Sequence, residues 1–292
     1  MQPTAMIHQQ WQTYMAAAPA ERAAAGIAYL PDLAVARFAG ADARAFLQGY
    51  LTCDTDELSA GYLTPTALCN LKGRVVINGW CVLADQDVLL LLHRSLVDEL
   101  KTFLRAYLMF SKTKLVDQQD ELLVLGGLDL PPTTAGLTLD TRRRLFLCER
   151  LDDARQLWET LPHLPDQAWL AALTADGIPL VSQPVSQAFL PQMLNLEALG
   201  AIDFTKGCYL GQEVVARAQH RGQVKRRLTH LTWSGTQPPE PGAEITDGRH
   251  RAVGTVVQSA AASAQSGPLL AVLQQGAEPP LRHGDSVLEP SI

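Results

Sequence analysis

Near Gly222 the chain changes the kind of structure it encodes. Before that point, stretches of alternating period are interleaved with stretches of helical period. After it, only short β-type stretches remain, parted by Pro, Gly and Ser. Arg227–Trp233, Glu244–Thr246, Ala252–Gln258 and Leu269–Leu273 are separated by turns such as Gln237-Pro238-Pro239-Glu240-Pro241-Gly242. Short strands with breakers between them and no helical run predict a small sheet or barrel module. A domain boundary is therefore expected near Gly222, dividing residues 1–222 from 223–292.

The first part reads as mixed elements. Leu33–Phe38 has strand character, and Asp42 caps a helix carrying Phe46, Leu47, Tyr50 and Leu51 at helical spacing. Strands are expected at Thr66–Asn70, Val75–Leu83 and Val88–His93, joined by turns at Lys72-Gly73 and Asp85-Gln86-Asp87. An amphipathic helix follows from about Leu96 to Phe110, burying Leu100, Phe103, Leu104, Tyr107 and Leu108. The rhythm then partly repeats, with strands at Leu122–Leu125 and Leu145–Cys148. Helices are expected at Asp152–Leu161 and Gln167–Leu173, parted by the helix-hostile Pro162 and Pro165. Two rounds of this kind predict an α+β architecture of two packed units. No strand is followed by GxGxxG and no GxxxxGK[ST] occurs, so the usual phosphate cradles are absent.

Composition narrows the function classes. With 292 residues, 47% hydrophobic and 18% charged, the chain is an ordinary globular one. A net charge of −6 gives no field suited to wrapping nucleic acid, so any polyanion contact is local. The five cysteines, Cys53, Cys69, Cys81, Cys148 and Cys208, are odd in number and scattered, with no CxxC pair and no histidine at metal-ligand spacing. That argues against a zinc site, a self-contained cysteine-ligated iron–sulfur cluster and a disulfide framework. Free thiols suit a reducing compartment. Met1 to Ala20 lacks the features of a secretory or transit peptide, and the longest aliphatic run, Val88–Leu92, is far too short to span a bilayer. A cytoplasmic, soluble protein without a membrane partner is expected.

The chemistry concentrates in Lys206-Gly207-Cys208-Tyr209-Leu210-Gly211-Gln212-Glu213. Two close glycines mark a tight turn or a place where another group comes near. Glu213–Arg221 has helical composition, with an acid in the first turn, basic groups in the last and Gly222 at the stop position. A thiol ahead of a helix N-terminus, with the Lys206 ammonium close by, is favoured as thiolate, which makes Cys208 the candidate nucleophile and Lys206 its activator. The competing reading is a buried structural cysteine. Tyr209 either packs over a planar ring or anchors the turn in the core. Between Lys206 and Arg227 stand six basic residues and one acid, and Arg217 and Arg221 share a helix face with Glu213. Such a patch suits a local polyanion such as a phosphate. RNA is less suited, because no aromatic is interleaved with the charges from Arg217 to Arg227 to stack bases.

Phe204-Thr205-Lys206-Gly207-Cys208-Tyr209-Leu210-Gly211-Gln212-Glu213, followed by Val215-Ala216-Arg217, resembles the signature of the YgfZ family of folate-binding proteins. That family lies in the superfamily of the glycine-cleavage T-protein, an aminomethyltransferase. Phe46–Asp54, Leu71-Lys72-Gly73-Arg74-Val75 and Pro191-Gln192-Met193-Leu194-Asn195-Leu196 resemble further family segments, in the same order. The resemblance implies two ferredoxin-like units and a C-terminal β-barrel around a folate-sized opening. It implies tetrahydrofolate as ligand, iron–sulfur enzymes as client proteins, and an effect on tRNA modification through those enzymes, without stable direct nucleic-acid binding.

Two positions refine that expectation. The T-protein's folate-activating aspartate falls in a strand that here reads Gly73-Arg74-Val75-Val76-Ile77-Asn78. An amide at Asn78 forms hydrogen bonds but neither holds a negative charge nor relays a proton, which counts against aminomethyl transfer. Leu196-Glu197-Ala198 resembles the T-protein segment whose glutamate grips the pterin, so Glu197 is a candidate folate ligand; a surface helix residue is the alternative. The expected function is a folate-binding maturation factor. A folate-dependent one-carbon transferase and a plain docking module are the other readings.

Overall fold

Residue Trp11 is fully buried, and around it forms a core that the sequence patterns did not announce. The computed structural model describes residues 5–17, 22–118, 120–165, 167–221 and 224–291. The chain divides into two compact units, one of Met1–Phe46, Asp56–Thr64 and Trp80–Trp169, the other of Leu47–Thr55, Pro65–Gly79 and Leu170–Ile292. The expected boundary at Gly222 lies outside the described residues.

In chain order, α1 (Ala5–Ala17) precedes β1 (Arg22–Tyr29), β2 (Leu33–Ala39) and α2 (Ala43–Gln48). Next come β3 (Thr64–Cys69), β4 (Val75–Ala84) and β5 (Asp87–His93), with β4 running from the second unit into the first. Then follow α3 (Val97–Leu108), β6 (Lys114–Asp117), β7 (Leu123–Leu128), β8 (Leu137–Thr138), β9 (Arg143–Cys148), α4 (Leu151–Thr160) and α5 (Ala168–Ala175). One sheet has the order β3-β4-β5-β2-β6 and another β1-β7-β9-β8, the latter antiparallel throughout. Trp11 of α1 and Trp158 of α4 meet edge-on at 5.4 Å over Ile27, Leu123, Leu125 and Phe146.

The alanine-rich β1 has little intrinsic preference for a strand. It becomes one because Ile27 N–H donates to Pro162 O at 2.8 Å and residues 26–29 pair with β7. Helix α2 stops at Gln48, earlier than its apolar spacing predicts, because Leu51 is drawn into a bridge with Leu68. In α3, Leu100 and Leu104 are the deeply buried positions, and Phe103, Tyr107 and Leu108 are half-buried.

In the second unit, α6 (Gln212–Arg221) leads into β10 (Arg226–Ser234), β11 (Glu244–Thr246), β12 (Ala252–Ser259), β13 (Ser266–Gln274), β14 (Leu281–His283) and β15 (Ser286–Pro290). These six strands close a barrel in the order β10-β13-β12-β11-β14-β15, with β15 returning to β10. Leu231, Trp233, Ile245, Val256, Leu269 and Ala271 fill it, and Trp233 Nε1 donates to Ala260 O at 2.9 Å. The module is thus a barrel, closed by β14 and β15, two short strands that the sequence pattern does not mark. Among the described residues no helix is long and apolar enough to cross a membrane.

Candidate functional site

Of the five cysteines, all free, only Cys208 is exposed. Burial pushes the Cys69 thiol up to about 12 and the Cys148 thiol, with Asp153 adding to it, up to about 11. Access alone therefore separates Cys208 from the rest. Its loop lies in the second unit and precedes α6 as the composition predicts. The Gly211 carbonyl starts the helix by accepting from Val214 N and Val215 N, and Gln212 Oε1 reaches back to Tyr209 N at 3.1 Å. Gly211 sits at φ +82°, with Asn70 O where a side chain would project. Gly207 has open space on that side, so the chain path does not demand a glycine there, and the room beside Cys208 stays clear.

The loop is pinned from below. Lys206 Nζ donates to Leu51 O at 2.8 Å and Cys53 O at 2.6 Å, and lies 5.5 Å over the Tyr209 ring. Its charge is thus held at one fixed point under the loop that carries Cys208. Tyr209 is buried and serves as the anchor; burial, and then nearby Cys69, push its hydroxyl well above the usual phenol range. Thr52 tightens the same seam: its hydroxyl donates to Ala201 O at 2.5 Å and accepts from Ala67 N at 2.8 Å, and its carbonyl accepts from Asp203 N.

Asp203 caps the turn, its Oδ1 accepting from Thr205 N, Thr205 Oγ1 and Lys206 N at 2.6, 2.7 and 3.0 Å. The Thr205 hydroxyl, then the Thr205 amide, hold the carboxyl below the ordinary aspartate range. A depressed folded-state value means stability that is present above the unfolded value, about 3.9, and lost as pH falls through the folded one. Asp203→Asn keeps the acceptor and removes the charge. Its thermal midpoint should lie below the parent's at neutral pH and converge with it in acid; parallel curves would exclude the role. Asp203 and Thr52 went unflagged in the sequence, although Asp-x-Thr is a known turn signal.

The other predicted residues fall as follows. Arg217 is exposed on α6, one turn beyond exposed Glu213, while the Arg221 side chain lies outside the described residues. Phe204, 40% exposed, stands edge-on to His220 at 6.1 Å, so the fold brings an aromatic to α6 that the linear order did not. Asn78 is buried in β4; its Nδ2 donates to Pro179 O at 2.8 Å and its Oδ1 accepts from Val181 N at 2.7 Å. In this structure it ties the strand to the 179–181 segment. Glu197 follows a short 3-10 turn at Pro191–Leu194 and is not on a regular helix. Its Oε1 is 3.5 Å from Arg227 Nη1, and its Oε2 is buried with no hydrogen-bond partner among the described residues. Gln192, 1% exposed, donates to Val215 O at 2.9 Å and leaves its own Oε1 equally unpartnered. Buried acceptors without partners are costly and mark places for a bound donor or an ordered water.

No protein-family model matches the chain. The fold is that of the glycine-cleavage T-proteins: the aminomethyltransferase of Bartonella henselae superposes with a TM-score of 0.67, covering 93% of this chain and 86% of that one at 14% identity. Sequence relatives narrow the class. The tRNA-modifying protein YgfZ of Edwardsiella ictaluri is 33% identical over 243 residues, covering 74% of this chain and 73% of the relative. Its counterpart in Yersinia pseudotuberculosis is 32% identical over the same shares. The chain belongs to the YgfZ family.

Proposed function

We propose that the protein is a tetrahydrofolate-binding accessory factor of the cytoplasm that supports the assembly or repair of iron–sulfur enzymes, and through them tRNA modification. The observation that carries this reading is the exposed Cys208 on a loop pinned from both ends, with free space beside it at Gly207. One thiolate does not hold a cluster securely, so contact with a client's cluster is transient and shared with the client's own ligands. The unpartnered Glu197 Oε2 fits a pterin: it offers a buried acceptor to the ring's amino-pyrimidine edge. Tyr209 braces the loop, and Arg217 offers an exposed cation to the glutamate tail. Bound tetrahydrofolate supplies a reduced pterin able to carry one-carbon units.

Aminomethyl transfer is the weaker reading, because Asn78 carries no charge and its amide is already engaged by backbone. Cys208→Ala is expected to keep the thermal midpoint and the tetrahydrofolate affinity while losing support of a radical iron–sulfur enzyme in a complementation assay. Parental complementation by that variant would remove the thiol from the mechanism. Glu197→Gln is expected to weaken tetrahydrofolate binding about tenfold by calorimetry, the worth of a charge-assisted hydrogen bond. A parent protein giving no heat with tetrahydrofolate would favour a docking module instead.

A further inference from the structure

Alternate residues of β10 face the barrel interior, and they change character along the strand. Trp233 and Leu231 belong to the packed core, Thr229 is half-buried, and Arg227 is exposed at the end. Beyond the packed layer lies a cavity of about 280 Å³. Leu231, Leu273 and Leu281 floor it, Pro279 and Pro290 flank it, and among the described residues Arg227 is the one charged residue in its lining. Small barrels are ordinarily filled by their own side chains, and an unfilled mouth is where such folds hold small ligands.

We propose that this mouth binds a small amphiphilic monocarboxylate, an acyl chain of roughly six to eight heavy atoms with its head group on Arg227. The size follows from the cavity, which holds roughly nine waters' worth of volume. The apolar floor selects the hydrocarbon, and the guanidinium selects a planar anion that it can grip with two parallel N–H donors. Glu197 selects the charge. Its Oε1 lies loosely at 3.5 Å from Arg227 Nη1, which leaves most of the guanidinium's donors for a second carboxylate. The same carboxylate repels a phosphate dianion, which would need more than one cation to compensate. Arg227 is half-exposed, so a ligand reaches it from solvent without opening the barrel.

Through Arg227 the site borders Glu197, the proposed pterin ligand, and is therefore tested with folate absent. Ligand-observed NMR titration of the parent with hexanoate, hexan-1-ol and hexylamine should give saturable low-millimolar binding of hexanoate, with the alcohol about fivefold weaker and the amine weaker still. Arg227→Gln, a rim substitution that leaves the core untouched, should lower hexanoate to the level of the alcohol. Ala277→Phe, which fills the mouth, should abolish both. Equal binding of all three probes by the parent would reduce the site to an apolar patch and overturn the assignment. So would undiminished hexanoate affinity in Arg227→Gln at a parental thermal midpoint, or no saturable hexanoate binding at all.

Discussion

Gly211→Ala should unfold the second unit well below the parental temperature, losing about 3 kcal/mol or more of stability. Two costs combine. At φ +82° an L side chain is strained by about 1–2 kcal/mol, and here its Cβ would fall inside the envelope of the Asn70 carbonyl oxygen, a backbone atom with little freedom to move. That oxygen also accepts the Gly73 amide at 2.8 Å and so holds the Asn70–Arg74 turn. Gly73 in turn rests on Val214, which a Cβ there would approach to 2.8 Å. A shift of Asn70 thus reaches both the turn and the first residues of α6. Gly207→Ala, whose Cβ meets nothing, should change the midpoint by no more than a degree or so. Thermal unfolding followed by circular dichroism separates the two; a Gly211→Ala protein melting with the parent would refute the account of this turn.

Asn78→Asp is expected to be the other severe change, and its severity should depend on pH. At 4% exposure the new side chain, once ionised, would lack the donor to Pro179 O and set an oxygen against that carbonyl. A charged, unpaired carboxylate there costs about 3–5 kcal/mol, so the folded protein keeps it protonated. Its folded value then lies above the unfolded value of about 3.9. The penalty is least below that pH, where both states carry the proton, and grows as pH rises towards the folded value. Urea unfolding of parent and variant between about pH 4 and pH 8 reads the difference directly; a constant gap would show the carboxyl to be charged and accommodated. An aspartate at this position would consequently be harder to ionise than a free carboxyl.

Much of the fold is legible in the sequence wherever an element carries its own period. The strands β2 to β5, the helices α3, α4 and α6, and four of the six barrel strands follow from spacing and breakers. The elements that escape are those made by context. Helix α1 contributes Trp11 to a core whose other buried members, Ile27 apart, lie over a hundred residues away, and β1 is a strand only because Pro162 and β7 satisfy its backbone. The site divides in the same way. Cys208 and its glycine-flanked loop are visible as a motif, as is the helix that follows. What holds them is not, since Lys206 and Thr52 act on main-chain oxygens that no residue pattern marks. Lys206, read in sequence as an electrostatic partner of the thiol, also ties the loop to residues 51–53 through contacts no motif marks. Glu197 is legible only as a carboxylate; that one of its oxygens is buried and unmatched follows from the turn that places it.

That tie has an evolutionary corollary. Because the ammonium grips the carbonyls of residues 51 and 53, the lock itself sets no identity at those two positions, which are limited instead by their burial. Lysine 206 has no such latitude: arginine would bring a broad planar fork to a place that receives a compact, tetrahedral head. Divergent relatives that preserve this lysine while exchanging the opposing pair for other core side chains would be the natural record of such a one-sided lock.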